Sequence, residues 1–145
     1  MISTFQTALI QYLKDKGFNN VKDYFGEFTR PSDAKIFKTF LPGIMVDFVD
    51  ATPQAPYSDE VTFSLYIVHA TYSKQEYMRK QGDITLLDFI HSVRQSLYYA
   101  VVSGSYPINI KRIKKIFDDA KDGMYLTVYQ MAISTTLNYP TEEEC

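Results

Sequence analysis

Apolar residues at the start of the chain recur at steps of three and four: Ile2, Phe5, Leu9, Tyr12 and Leu13. This spacing predicts an amphipathic helix over 2–16. Gln6, Gln11, Lys14 and Asp15 fill its polar side, and Gly17 supplies the left-handed stop. A short strand is predicted at 20–25, carrying Val21, Tyr24 and Phe25. Between Phe28 and Pro42 the pattern is less regular. Ser32 suits the cap of a minor helix with Ile36, Phe37, Phe40 and Leu41 on one side.

Residues 43–50 read as a strand, followed by a Pro53/Pro56 loop over 51–58. The clearest alternation lies at 59–72, where Val61, Phe63, Leu65, Ile67 and His69 interleave with Thr62, Ser64, Tyr66, Val68 and Ala70. The connection suits an antiparallel hairpin. Residues 73–82 are polar and predict a long loop, a feature that is often functional in a small domain. Asp83 is placed as the cap of a main helix over 84–101, with Leu86, Leu87, Ile90, Val93 (or Arg94), Leu97 and Val101 as its buried stripe. Ser103-Gly104-Ser105-Tyr106-Pro107 ends it. A second hairpin follows: a strand near 108–117, a turn at 118–123, and a strand over 124–137.

This order predicts a single α+β domain over 1–139 and a polar tail at 140–145. Its sheet would be mostly antiparallel, of about four to five strands, with two main helices packed on one face and a long projecting loop. The other face, rich in Tyr, Thr and Ser, is expected to stay wet or meet a partner.

Composition narrows the function. The chain has 145 residues, 46% apolar and 22% charged, ordinary values for a globular protein. Twelve Tyr and ten Phe, without Trp, exceed what a minimal core needs. Tyrosine suits surfaces that are half apolar and half wet, such as interfaces. A net charge of −2 does not fit a nucleic-acid-binding domain, whose balance is strongly basic. One cysteine, Cys145, cannot make an internal disulfide. Neither a membrane-length apolar run nor a signal-peptide pattern is present, so a cytoplasmic protein, or one assembled there, is expected.

The candidate chemistry is thin. His69 and His91 have no second His or Cys at metal-ligand spacing. Asp47 and Asp50, with Asp59 and Glu60 on the next strand, are candidates for paired carboxylates or a divalent-ion site. Strand-end charges are ordinarily solvated, however, and Asp47 is expected to face solvent or a basic neighbour. Asp118, Asp119, Asp122 and Gly123 lack the spacing of a calcium loop and read as a hairpin turn. No phosphate loop or nucleophile elbow is present. Neither a catalytic residue, a metal site nor a cofactor is expected.

Two features are not absorbed by core packing. Lys111, Arg112, Lys114 and Lys115 form a basic run. Strict alternation would put Lys111 and Lys115 with Ile113 on one face, and Arg112 and Lys114 with Ile110 and Ile116 on the other. Such a run protects an edge strand, meets acidic patches on an adjacent subunit, or touches passing nucleic acid. The loop 73–82 carries Lys74, Arg79 and Lys80 around Tyr77 and Met78. It is a surface loop or an arm that orders against a neighbouring subunit.

The layout also resembles a family of structural proteins encoded in Mu-like phages and prophages, in the block of head–tail joining and tail genes. The resemblance rests on the helix ending in Gly17, Val21-Lys22-Asp23-Tyr24, Gly26-Glu27, the Pro42-led strand and the alternating strand 61–71. It continues through the Asp83 helix with Leu86-Leu87, then Tyr125-Leu126-Thr127-Val128-Tyr129 and Leu137-Asn138-Tyr139. It implies a virion component at the neck or upper tail, similar to tail terminators that cap the tail tube as a hexameric ring. Its partners would be copies of itself, tail-tube proteins and neck proteins, with incidental DNA contact and no membrane. A head-completion or adaptor role in the neck is the alternative within that class. A small ligand-binding domain or enzyme is the rival outside it, and would gather His69, Asp47 and a second carboxylate around one cleft.

Overall fold

The computed structural model describes residues 2–18, 20–24, 43–71, 76–121 and 124–138. The chain order is α1 (Ile2–Asp15), β1 (Val21–Asp23), β2 (Gly43–Ala55), β3 (Ser58–Thr71), α2 (Glu76–Leu97), β4 (Asn109–Lys121) and β5 (Met124–Asn138). Among the described residues two helices accompany a five-stranded sheet of order β1-β2-β3-β5-β4, so the α+β class and strand count agree with the sequence pattern. The minor helix expected between Phe28 and Pro42 and the tail at 140–145 lie outside the described residues.

Antiparallel pairing joins β2 to β3, β3 to β5 and β5 to β4, whereas β1 runs parallel to β2 over Ile44–Val46. The sheet is therefore mixed. The long alternating strand became its centre, since β3 pairs along nearly its whole length on both sides. Its residues Val61, Phe63, Leu65 and Ile67 are apolar and buried in the core, so any one-residue slip would expose all four.

The core lies on that face. Phe5, Leu9 and Leu13 of α1 and Leu86, Ile90, Val93 and Leu97 of α2 belong to one buried cluster. Ile44, Val46, Val61, Phe63, Leu65, Ile67, Met131 and Ile133 from the strands complete it. The Phe5 and Phe63 rings sit 5.3 Å apart. Leu87 and Val101, expected in the buried stripe of α2, are instead exposed. Leu87 falls a helical step away from the Leu86–Ile90–Val93–Leu97 line. Val101 lies beyond the helix, and its neighbour Val102 is buried in its place.

Three boundaries differ from the sequence pattern, each because a helix or a paired strand extends further than the local composition suggests. Residues 76–82 are the first turns of α2, not a loop, and Asp83 is inside that helix rather than its cap. β2 and β3 continue pairing to Ala55 and Ser58, so most of the expected 51–58 loop is strand, with Pro53 paired to Asp59. Asp118 and Asp119, expected in a turn, pair with Thr127 and Leu126 within the β4–β5 ladder. Gly17 does end the α1 segment, with a φ of 101°.

On the opposite face of the sheet, Met45, Ser64, Val68 and Val128 are buried, so this face is not uniformly wet. Gln130 donates a hydrogen bond from Nε2 to Ser64 Oγ at 2.8 Å. The Tyr24 and Tyr66 rings lie 4.8 Å apart beside them.

Candidate assembly edge

The basic run falls on β4, the last strand of the sheet. Residues 111–118 are all exposed. Among the described residues no strand lies beyond β4, so its outer backbone groups form an open edge of the kind that pairs with another chain.

Two bulges overturn the strict alternation. The β4–β5 register shifts between Ile110 and Arg112 and again between Lys115 and Phe117. An extra residue at each place resets which side chains face the core. Ile110 pairs with Ile133, Ile113 with Met131 and Lys115 with Tyr129, all on the core side of β5. Arg112 pairs with Ala132, Lys114 with Gln130 and Phe117 with Val128, on the opposite side. Lys111 and Ile116 occupy the bulges. Thus Ile110 shares a face with Ile113, not with Arg112 and Lys114.

The cations differ in surroundings. Lys115 Nζ lies 3.1 Å from Asp118 Oδ2 and 5.8 Å from the centre of the Tyr129 ring. Thr127 Oγ1 donates to Asp118 Oδ1 at 3.3 Å. Lys111 borders a shallow depression of about 320 Å³ with Glu60, Tyr106, Asn109 and Ser134. Arg112 and Lys114 are exposed on the face away from the core. Ile113, Ile116 and Phe117 remain 38%, 40% and 36% exposed. Cations and apolar side chains therefore alternate along one open strand.

Of the other candidate interface residues, Tyr77, Met78, Arg79 and Lys80 belong to the first turns of α2 and not to the loop expected there. Lys74 lies outside the described residues.

The chemical candidates do not converge. His69, in phase with Val61 to Ile67 on β3, is on the core face, whereas Asp47 pairs with Ser64 on the opposite face. They cannot line one cleft. His91 is exposed on α2, 3.4 Å from Gln95 Nε2. Glu60 accepts from Gln54 Nε2 at 2.9 Å. No group of three His, Cys, Asp or Glu among the described residues is placed to hold a metal. No helix among them is long and apolar enough to cross a membrane. Asp47 is partly buried, and desolvation raises its pKa above the ordinary 3.8. Burial also raises the Tyr66 hydroxyl, helped by the charge of Asp47 and by Tyr24.

Residues that sequence reasoning missed are Phe48 and Val49, which are 37% and 50% exposed on β2. The β2–β3 register shifts between Phe48 and Asp50. The signal was the Val46-Asp47-Phe48-Val49 run, where two adjacent apolar residues break the alternation. The chain matches no protein-family model and no curated protein sequence.

Proposed function

We propose that this chain is a structural subunit of a phage or phage-tail-like particle, a tail terminator that closes the tail tube as a ring. The single observation that supports it is the open β4 edge, 13 residues long, with exposed Ile113, Ile116 and Phe117 set among cations. Lysines alone would protect such an edge from aggregation, but the exposed Ile113, Ile116 and Phe117 between them add apolar surface that a partner would cover. A ring subunit uses such an edge at every junction, so many modest contacts add up across the assembly. The resemblance of the chain to Mu-like neck and tail proteins points to the same class. The mechanism is geometric. Six copies pair through their sheet edges, present one face to the end of the tube, and stop its growth.

The test is binding of the purified protein to polymerised tail-tube protein, viewed by electron microscopy. Rings at tube ends, and shorter tubes when the protein is present during polymerisation, are expected. A protein that neither self-associates nor touches tubes refutes the reading. Density at the portal side of the neck instead would assign a head-completion role.

A further inference from the structure

Charge changes sign along β4. Its first half carries Lys111, Arg112, Lys114 and Lys115, and its second half carries Asp118 and Asp119. Every residue from Lys111 to Asp118 is exposed, whichever way it faces, so no described part of the chain lies along this strand. An antiparallel copy of such a strand brings the acidic half of one chain to the basic half of the other. We infer that two copies of this chain pair β4 to β4 about a two-fold axis normal to the sheet, with Phe117 at the axis.

The ladder with β5 sets the register. A two-fold normal to the sheet keeps the core sides of both copies together, so residues that meet lie an equal number of rows on either side of the axis. The β5 partners fix the rows: Ile113 at Met131, Lys114 at Gln130, Lys115 at Tyr129, Phe117 at Val128, Asp118 at Thr127 and Asp119 at Leu126. With Phe117 on the axis, Lys115 falls opposite Asp118 of the second copy, Lys114 opposite Asp119, and Phe117 opposite itself. Directly opposite charges and aromatic pairs each favour strand pairing. Axes on the neighbouring rows are disfavoured. An axis at Lys114 or Lys115 sets that cation against itself, one at Asp118 sets carboxylate against carboxylate, and one at Ile113 sets Lys114 against Arg112.

Asp118 is already held in place for this contact. Its Oδ2 lies 3.1 Å from Lys115 Nζ, and its Oδ1 accepts from Thr127 Oγ1 at 3.3 Å. In the pair, two Lys115 and two Asp118 side chains share the core side and alternate in sign, so each ammonium gains a second carboxylate. On the opposite face the two Phe117 side chains, each 36% exposed alone, cover one another. Lysines and bulges commonly guard an edge against pairing. Here the guard is incomplete, because a carboxylate on the same strand offsets the cations of a second copy. The bulged Ile116 of each strand falls beside the axis at equivalent places, so the register shift is shared by both copies. The ring proposed above needs the same edge, so this pair is the form of the free chain and opens as a ring closes. The pair itself does not depend on that reading.

The test uses the full chain with Cys145→Ser and one added cysteine. Phe117→Cys sets two thiols directly opposite, with Cα atoms about 4.5–5.5 Å apart, within disulfide reach. Ile113→Cys is a similarly exposed control three rows from the axis, so its two copies lie about 20 Å apart. Under mild oxidation, Phe117→Cys is expected to give a covalent dimer at least about tenfold faster than Ile113→Cys. Equal or faster cross-linking of Ile113→Cys overturns the inference, and so does the absence of cross-links in both. A second arm keeps Phe117. Asp118→Lys and Lys115→Asp are each checked for folding by thermal melting, and sedimentation velocity reads their association. Each alone sets like charges opposite and should weaken dimerisation at least about tenfold. Mixing the two should restore it, since both contacts between positions 115 and 118 then join opposite charges. A chain with the natural β4 that stays monomeric at high concentration, or a mixture no better associated than its components, overturns the inference. Tube capping is scored separately. A chain that caps tubes without pairing through β4 keeps the proposed function and loses this pair. A chain that pairs but ignores tubes does the reverse.

Discussion

Tyr12 donates a hydrogen bond from its hydroxyl to the carbonyl of Ser96 at 2.7 Å, tying the end of α1 to the last turn of α2. Carbonyls in a last helical turn lack intrahelical donors. Here the Ala100 N–H goes to the Leu97 carbonyl, and the Tyr99 N–H goes to Ile108. The Ser96 carbonyl is left for Tyr12. Tyr12→Phe keeps the ring and removes that bond. It should cost about 0.5–1.5 kcal/mol, read as a lower urea midpoint with an unchanged slope.

Phe63 sits between Phe5 at 5.3 Å and Phe48 at 5.5 Å, and is itself 1% exposed. It is therefore where α1 meets the central strand. Phe63→Ala leaves a cavity under α1 and should destabilise by about 3–5 kcal/mol. Chemical denaturation followed by tyrosine fluorescence would measure it. A loss below about 1 kcal/mol would mean that α1 does not rest on β3.

Gly17 has a φ of 101°, and a Cβ there would meet no heavy atom within 4 Å. The cost of Gly17→Ala is thus one of backbone conformation, not of collision. It should amount to about 1–2 kcal/mol. The thermal midpoint would fall, while the circular dichroism spectrum of the folded protein would not change.

Asp47 gives a pH dependence whose sign follows from its burial. Its folded pKa is raised, so the folded state holds the proton more tightly than the unfolded chain. Its contribution to stability is therefore lost as pH rises from the ordinary value of 3.8 through the folded value. Asp47→Asn should raise the midpoint at neutral pH, and this advantage should shrink as pH falls through that window. The comparison belongs at protein concentrations low enough to keep the chain monomeric.

Salt separates the two kinds of charge on β4. The Lys115–Asp118 pair is surface-exposed and should contribute no more than about 1 kcal/mol to folding. Raising salt should therefore leave the thermal midpoint of the monomer nearly unchanged, while weakening association through the β4 edge. Sedimentation velocity at low and high salt would check this.

Much of the local structure was legible in the sequence. The steps of three and four in Ile2 to Leu13, the stop at Gly17 and the period of two from Val61 to His69 are carried by neighbouring residues alone. The errors lay at boundaries. The polar residues 76–82 look like a loop because their composition resembles one, yet they continue the helix that Leu86 and Ile90 anchor. Pro53 looks like a breaker, yet it sits in a β2 run whose outer side has no neighbour strand among the described residues, where its missing N–H leaves no ladder bond unmade.

The α+β class, the central alternating strand, the apolar stripe of α1 and the basic run at 111–115 follow from spacing along the chain. That β1 lies parallel to β2, that β4 is the edge strand among the described residues, and that Arg112 and Lys114 share a face with Asp47 and Asp50 emerges only from the folded sheet. The reason is physical. Helical and strand periodicities are set by bonds between near neighbours, whereas strand order and register depend on pairings across distant parts of the chain. A single bulged residue, such as Lys111, reverses the facing of all that follows, and nothing in the run Ile110 to Lys115 marks where the extra residue falls.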